Sequence, residues 1–179
     1  CPPYLCDQWQ QEMSEKFHID AKVIRSGTIN QLQRDLPYGE SIFRYYPYIV
    51  VSIDFIKLDK NKHAFLSFCP ECVIIDEAHG AARPAGASKE QQKRYDLLQD
   101  LATRTMKRGG ADMLRHLILL TATPHSGHEE SFKSLLGLLK PAFETINLAD
   151  TASDDRIALA QHYVQRRRVD IATWPGDTT

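Results

Sequence analysis

The chain has 179 residues, a formal net charge of −1 and 42% hydrophobic residues. This length and composition suit one folded domain, or a domain with an appendage, and exclude a wholly disordered chain. The net charge excludes bulk electrostatic attraction to nucleic acid, so a local basic patch would have to hold such a partner. No apolar run approaches the roughly 18 residues of a transmembrane helix, and we expect no membrane partner.

The first third of the sequence predicts one helix and two short strands. The helix is indicated by apolar residues at successive i, i+4 positions: Leu5, Trp9, Met13 and Phe17. We expect Trp9 to be mostly buried and to pack on a sheet, since a Trp in such a stripe is usually part of the core. The opening Cys1-Pro2-Pro3 has no signal-peptide character and is typical of the exit from a strand within a longer protein. Residues 22–25 and 48–52 are strand candidates.

The remainder of the sequence alternates strands with amphipathic helices. Residues 72–75 and 116–120 are short apolar runs that predict strands. Ser88 with Gln91, and Ser126 with Glu129, are capping-box patterns that predict helix starts; we expect Gly109-Gly110 to end the first helix and Pro141 the second. One more helix is predicted over residues 151–168, capped by Ser153. This alternation indicates a parallel sheet covered on both faces.

Two adjacent carboxylates follow the apolar run Val73-Ile74-Ile75, in the sequence Asp76-Glu77-Ala78-His79. Ligands of open α/β sheets bind outside the carboxyl ends of the strands. One of the two acids is suited to holding a hydrated magnesium ion that bridges phosphates, and its neighbour to orienting and deprotonating an attacking water. The competing interpretation is a solvated acidic turn.

A second apolar run, residues 117–120, ends in Thr121-Ala122-Thr123-Pro124. Hydroxyl groups at this point are able to hydrogen-bond to the acidic strand end and to transmit its state to a second site. Taken alone, such a sequence is an ordinary turn at the end of a strand. Since both buried runs end in polar residues, we predict that the two strands are neighbours with a shared crevice.

Cys69 and Cys72 have the CxxC spacing of a zinc knuckle. Cys72 leads directly into an apolar strand, however, where it would be a small buried hydrophobe. No second knuckle completes a ligand set, so we expect reduced thiols and no zinc.

Four segments of the chain together resemble the first RecA-like lobe of superfamily 2 helicases, and among these the Swi/Snf-type DNA-dependent ATPases. The opening segment, with its proline, leucine and Gln8-Trp9, resembles the family's Ia segment. Ile74-Ile75-Asp76-Glu77-Ala78-His79 is similar to the Walker B motif II, a DEAH box. Residues 119–141 resemble motif III and the helix after it, and residues 162–168 resemble the aromatic-x-x-Arg-Arg segment near the end of the lobe.

The resemblance implies a three-layer α/β RecA-like (P-loop NTPase) lobe with a central, mainly parallel sheet, truncated at its amino terminus. It implies that Asp76 coordinates Mg²⁺ through water and that Glu77 is the catalytic base for ATP hydrolysis. His79, Thr121 and Thr123 match groups that couple the nucleotide to the nucleic-acid track. Ser52, at the end of a strand, matches loosely a contact to the phosphodiester backbone.

One departure from the family concerns the phosphate loop. The pattern GxxxxGK followed by Ser or Thr does not occur in the 179 residues; in the family it precedes the Ia segment. The resemblance therefore implies a partial ATP-binding lobe over residues 1–150. A carboxyl-terminal helix and tail over 151–179 would lead toward a second RecA-like lobe, and Arg166 and Arg167 are candidates for interlobe or basic contacts. Their alternative interpretation is a solvated helix end.

The function implied by the resemblance is ATP-dependent translocation along double-stranded DNA by a longer protein, with ATP and Mg²⁺ as cofactors. An RNA helicase or a restriction-type translocase of the same superfamily is one alternative, and a non-catalytic pseudo-ATPase scaffold is another. We expect the isolated chain to be inactive, and the longer protein to be cytoplasmic or nucleoid-associated, or nuclear in a eukaryote.

Overall fold

Strands and helices alternate along the chain in the computed structural model, which describes residues 1–108, 111–114, 116–123, 129–147 and 154–166. The strands are β1 (Lys22–Ile24), β2 (Ile49–Val51), β3 (Cys72–Ile75), β4 (Thr105–Arg108), β5 (Ala111–Leu114) and β6 (His116–Leu119). The α-helices are α1 (Cys6–Phe17), α2 (Ile29–Arg34), α3 (Ile42–Tyr45), α4 (Ile53–Ile56), α5 (Asp59–Phe68), α6 (Lys89–Ala102), α7 (Glu129–Leu139) and α8 (Asp154–Ala160). Short 3₁₀ turns cover Pro3–Leu5, Ala78–Ala81 and Pro141–Thr145.

The predicted strands form two parallel pairs. β1 pairs with β2 in the register Lys22↔Ile49, and β3 pairs with β6 in the register Cys72↔His116. The second pairing confirms the prediction that the strand carrying the two acids lies beside the strand that leads to Thr121. The α/β class is therefore confirmed, in the form of two separate two-stranded parallel sheets.

The architecture differs from the prediction in three respects. A single central sheet is not observed among the described residues, where the third sheet is the antiparallel pair β4–β5. The helix that begins after Ser88 ends at Ala102, and the backbone N–H and hydroxyl of its C-cap residue, Thr103, both donate to the Gln99 carbonyl. The last helix is shorter than predicted, since the N–H groups of Gln161 and His162 turn back in i→i−3 bonds.

The helix starts agree better with the sequence. The Ser88 capping box is formed in both directions, with Gln91 N–H donating to Ser88 Oγ at 3.2 Å and Ser88 N–H to Gln91 Oε1 at 3.0 Å. α7 covers Glu129–Leu139 and ends before Pro141, as predicted. Several predicted features lie outside the described residues: Gly109-Gly110, Pro124, Ser126 and Ser153. The division at residue 150 stays a prediction.

The main core lies between the two parallel pairs and helices α5 and α6. Its fully covered centre includes Ile24 and Leu98, each 0% exposed, and Ile75 contributes the inner face of β3. A second cluster joins α7 to α8 through Phe132, Leu136 and Leu159. Within the described segments, no helix is both long and apolar enough to span a bilayer.

An ion-pair network ties the turn after β2 to α6. The Asp54 carboxylate accepts hydrogen bonds from Lys57 Nζ at 2.9 Å and from Arg94 at 2.7 Å, and Lys57 also reaches Glu90 at 2.6 Å. Burial alone would raise the pKa of Asp54, but the hydrogen bonds from Lys57 and Arg94 outweigh it and lower the pKa. The Lys57 side chain is buried, so these contacts also satisfy a charge within the fold.

This network predicts an acid-dependent loss of stability. Because the folded pKa of Asp54 is lower than the unfolded value of about 3.9, the contribution is complete above that value and is lost as the pH falls through the folded pKa. We expect Asp54→Asn to lower the free energy of unfolding by about 1 kcal/mol at pH 7, a figure reduced for solvent screening. The difference from the parent chain should shrink as the pH falls through the folded pKa of Asp54.

Urea denaturation of both chains at several pH values measures this effect. Asp35→Asn, at an exposed carboxylate after α2, is the control and should change stability little at any pH. A difference for Asp54→Asn that stays constant down to pH 2 would contradict the assignment.

Candidate active site at the ends of β3 and β6

The chain turns sharply where β3 ends. Glu77 adopts a left-handed backbone conformation, with φ of +51°, and the 3₁₀ turn Ala78–Ala81 follows. This conformation is uncommon for a residue with a side chain and clusters at functional sites. Two further ladder bonds hold the turn on the neighbouring strand: Leu120 N–H to the Ile75 carbonyl at 2.8 Å, and Ala78 N–H to the Leu120 carbonyl at 2.9 Å. The acidic segment is thereby fixed against the threonine segment.

The Asp76 carboxylate is oriented by two N–H donors. Oδ1 accepts from the Glu77 backbone at 2.9 Å, and Oδ2 accepts from the Trp9 indole nitrogen at 2.7 Å. Both donors leave the outward lone pairs of the two oxygens available. Asp76 is therefore held in one orientation by its own backbone and by helix α1.

Trp9 is a site residue that sequence reasoning assigned to the core alone. As predicted, most of its surface is covered, and with Met13 it packs on a cluster formed by Cys6, Ala21, Val23 and Val50. Phe17, predicted on the same apolar stripe, is 66% exposed because α1 ends there. The sequence feature that could have predicted the contact with Asp76 is the indole N–H of Trp9, since this group needs a hydrogen-bond partner when a Trp is covered.

Glu77, His79 and Thr121 form a polar cluster that joins the two strand ends. His79 Nδ1 lies 2.9 Å from Thr121 Oγ1 and 3.1 Å from Glu77 Oε2. The Thr123 backbone N–H donates to Thr121 Oγ1 at 3.1 Å. Glu77 Oε2 is covered and makes no hydrogen bond of adequate geometry. His79 Nδ1 faces both this oxygen and Thr121 Oγ1, and its hydrogen bond is to Thr121. The predicted contact between the threonine turn and the acidic strand end is therefore present, through His79.

The remaining predicted site residues lie elsewhere. Ser52 is 2% exposed, with its N–H bonded to the Ile24 carbonyl, so its predicted contact to a phosphodiester backbone would require it to be uncovered and stays a prediction. Arg166 is exposed, and its guanidinium donates to the Gln165 carbonyl at 3.2 Å. Arg167 lies outside the described residues.

The cysteine pair differs from the expected buried arrangement. Cys69 is buried, but Cys72 is exposed, because β3 borders an open cleft on the side away from β6. None of the four cysteines forms a disulfide. The description of Cys72 as a small buried hydrophobe was wrong.

The donor set at the strand ends is poor in direct metal ligands. No group of three or more His, Cys, Asp or Glu side chains suited to a metal ion occurs in the described part of the chain. Two carboxylates at a sheet end suit a hard cation that keeps several of its waters, as Mg²⁺ does. The arrangement therefore fits a hydrated ion better than a fully protein-coordinated one.

Comparison with known proteins identifies relatives over 78% of the chain. The chain is 29% identical over 140 residues to "Uncharacterized ATP-dependent helicase YqhH" of Bacillus subtilis, and it covers 20% of that protein. It is 25% and 26% identical over 141 residues to "RNA polymerase-associated protein RapA" of Proteus mirabilis and Erwinia tasmaniensis, covering 13% of each. No family model matches the chain. The chain thus spans a fifth or less of the relatives' length, and this similarity supports its resemblance to the superfamily 2 helicases.

Proposed function

We propose that the chain is part of the first, RecA-like ATP-binding lobe of an ATP-dependent double-stranded DNA translocase. The observation that carries the proposal is the juxtaposition of the acidic turn after β3 with the threonine turn after β6, joined by the 2.9 Å contact between His79 and Thr121. The helicase and RapA relatives support the ATP-dependent helicase class. Translocation on DNA is our extension of that class.

Asp76 is proposed to hold the magnesium ion through water. Bound there, Mg²⁺ would neutralise the charge of the ATP phosphates. Because N–H groups from Trp9 and Glu77 already engage both carboxylate oxygens, Asp76 is better placed to accept hydrogen bonds from the ion's waters than to bind the ion directly.

Glu77 is proposed to activate the attacking water. Its Oε2 is covered and makes no hydrogen bond of adequate geometry, so uncovering this oxygen would make it an acceptor for a water proton. The water oxygen would bond to the γ-phosphorus, its proton would pass to the Glu77 carboxylate, and the bond from the γ-phosphorus to the bridging oxygen of ADP would break. This role leaves His79 and Thr121 to sense the state of Glu77.

The triphosphate cradle is proposed to come from another segment of the longer protein. Backbone N–H groups of a phosphate loop and its Lys supply most of the binding energy for the phosphates, and the 179 residues contain no such motif. A second RecA-like lobe of the same polypeptide would complete the site. The isolated chain is therefore expected to be inactive.

ATP hydrolysis tests this proposal directly. We expect no measurable turnover from residues 1–179 alone, and turnover by the longer protein that rises when double-stranded DNA is added. Turnover stimulated by RNA and not by DNA would assign the protein to the RNA helicases. A longer protein with no turnover under any of these conditions would instead be a scaffold.

The coupling role of the threonine turn gives a second prediction. Thr121→Val keeps the side-chain shape but removes the oxygen that contacts His79 and accepts from the Thr123 N–H. We expect the ratio of DNA-stimulated to unstimulated ATPase in the longer protein to fall about fivefold, the factor corresponding to one hydrogen bond of about 1 kcal/mol.

Thr145→Val is the matched control for this experiment. The Thr145 hydroxyl is exposed and bonds only locally, to the Ala142 carbonyl at 3.3 Å. Equal stimulation ratios for the two variants would argue against coupling through Thr121.

A further inference from the structure

The hydrogen bond between Trp9 and Asp76 joins a helix on the β1–β2 pair to the acidic end of β3. The indole nitrogen lies 2.7 Å from Asp76 Oδ2. This distance is at the short end for N–H···O bonds and is typical of a bond to a charged acceptor. Trp9 belongs to α1, which contacts both β1 and β2, whereas Asp76 directly follows β3. The orientation of the acid therefore depends on a residue from a distant part of the sequence.

The donor and the acceptor of this bond are both held in place. Trp9 packs on the cluster that contains the fully covered Ala21, and the side chain of Gln10 donates to the Ala21 carbonyl at 2.7 Å. Packing of the rigid indole ring also fixes the direction of its N–H. On the other side, Ile75 and Ala78, which flank the acidic pair, are buried. The carboxylate is thus held against a donor that cannot easily move away.

This bond limits how Asp76 can bind a cation. Trp9 and the Glu77 backbone each take one acceptor position, on different oxygens of the Asp76 carboxylate. A carboxylate has about four such positions, so about two remain, one on each oxygen. Single positions suffice for the waters of a hydrated ion, whereas a bidentate ligand must turn both oxygens toward the ion. Mg²⁺ keeps several of its waters, but Ca²⁺ takes about 6–8 oxygen ligands and often binds carboxylates in the bidentate mode.

We propose that Trp9 determines the cation specificity of the site, because its indole N–H disfavours direct coordination of Ca²⁺ by Asp76 and favours hydrated Mg²⁺. The inference rests on the proposed function, which assigns the ion to Asp76. The second donor is the backbone N–H of Glu77, which is present with any side chain at that position. The indole is therefore the part of the arrangement that a substitution can remove. Since Trp9 acts through Asp76, it is a positioning residue.

The first experiment tests the contact while Trp9 stays in place. It uses residues 1–179 with Trp174→Phe, so that Trp9 supplies the only indole signal. We expect the Trp9 indole N–H, followed by NMR, to exchange at least about tenfold faster when Asp76→Ala removes its acceptor. Glu71→Ala, at an exposed carboxylate before β3, is the control and should leave the exchange rate unchanged. Equal rates in all three chains would overturn the proposal.

The second experiment measures cation specificity in the longer protein, with nucleotide binding as the readout. Affinity for a non-hydrolysable ATP analogue is measured with Mg²⁺ and with Ca²⁺, for the parent and for Trp9→Phe. Phenylalanine keeps an aromatic ring on the cluster but has no N–H. We expect the ratio of Mg²⁺-supported to Ca²⁺-supported affinity to fall about tenfold, the lower end of what one hydrogen bond to a charged group contributes.

Met13→Ala is the matched control, because Met13 lies one turn further along α1, packs on the same cluster and cannot donate a hydrogen bond to Asp76. It should leave the ratio unchanged even if both variants lower the melting temperature. An unchanged ratio for folded Trp9→Phe, or an equal fall for Met13→Ala, would overturn the inference and leave the proposed function intact. Nucleotide binding by the parent that needs no divalent cation would overturn both.

Discussion

We expect Glu77→Gln to lower ATP turnover of the longer protein by about 10²–10⁴-fold, the usual contribution of a general base, and to leave nucleotide binding nearly unchanged. Glutamine keeps the size of the side chain but cannot accept the proton of the attacking water. The ion and the phosphate cradle are separate from Glu77 in the proposed site, so the nucleotide stays bound. Steady-state turnover and nucleotide affinity, measured on the same preparation, distinguish the two effects.

Two further variants test whether the loss of turnover is specific to Glu77. Asp76→Asn should weaken the Mg²⁺-dependent part of nucleotide binding as well as turnover, because Asp76 is the proposed partner of the ion. Glu71→Gln, at an exposed carboxylate before the opposite end of β3, should leave both unchanged. Near-normal turnover by Glu77→Gln would remove the catalytic assignment.

We expect Leu98→Ala to lower the free energy of unfolding of the chain by about 2–5 kcal/mol, the range for deleting a buried leucine side chain. Leu98 is 0% exposed and lies on α6 in the main core, where Tyr95 and Leu101 of the same helix are also buried. Truncation removes apolar contacts and leaves a cavity that a close-packed interior fills only in part. Urea denaturation monitored by circular dichroism measures the change.

Gln99→Ala is the control for this experiment, since Gln99 follows Leu98 on the same helix and is exposed. Only its backbone carbonyl is used, as acceptor for Thr103, so we expect a change within about 0.5 kcal/mol. A loss below about 1 kcal/mol for Leu98→Ala would mean that α6 does not pack against the core as described.

The sequence was sufficient where local patterns specify an element. The bounds of β3 follow from a short apolar run between polar residues, and the start of α6 follows from the reciprocal bonds of Ser88 and Gln91. The neighbouring position of β3 and β6 was also predictable, because both runs end in polar groups that share one crevice. The resemblance to superfamily 2 helicases rests on the same residues.

Tertiary structure alone decided the contacts that give the site its geometry. Trp9 and Asp76 are 67 residues apart, and an apolar stripe on a helix looks the same whether its Trp faces a core or a carboxylate. The end of α6 at Ala102, the β4–β5 pair and the exposure of Cys72 were not predicted from sequence. Strand pairing and burial depend on which edges meet in three dimensions, and the periodicity of one segment carries no information about its neighbours.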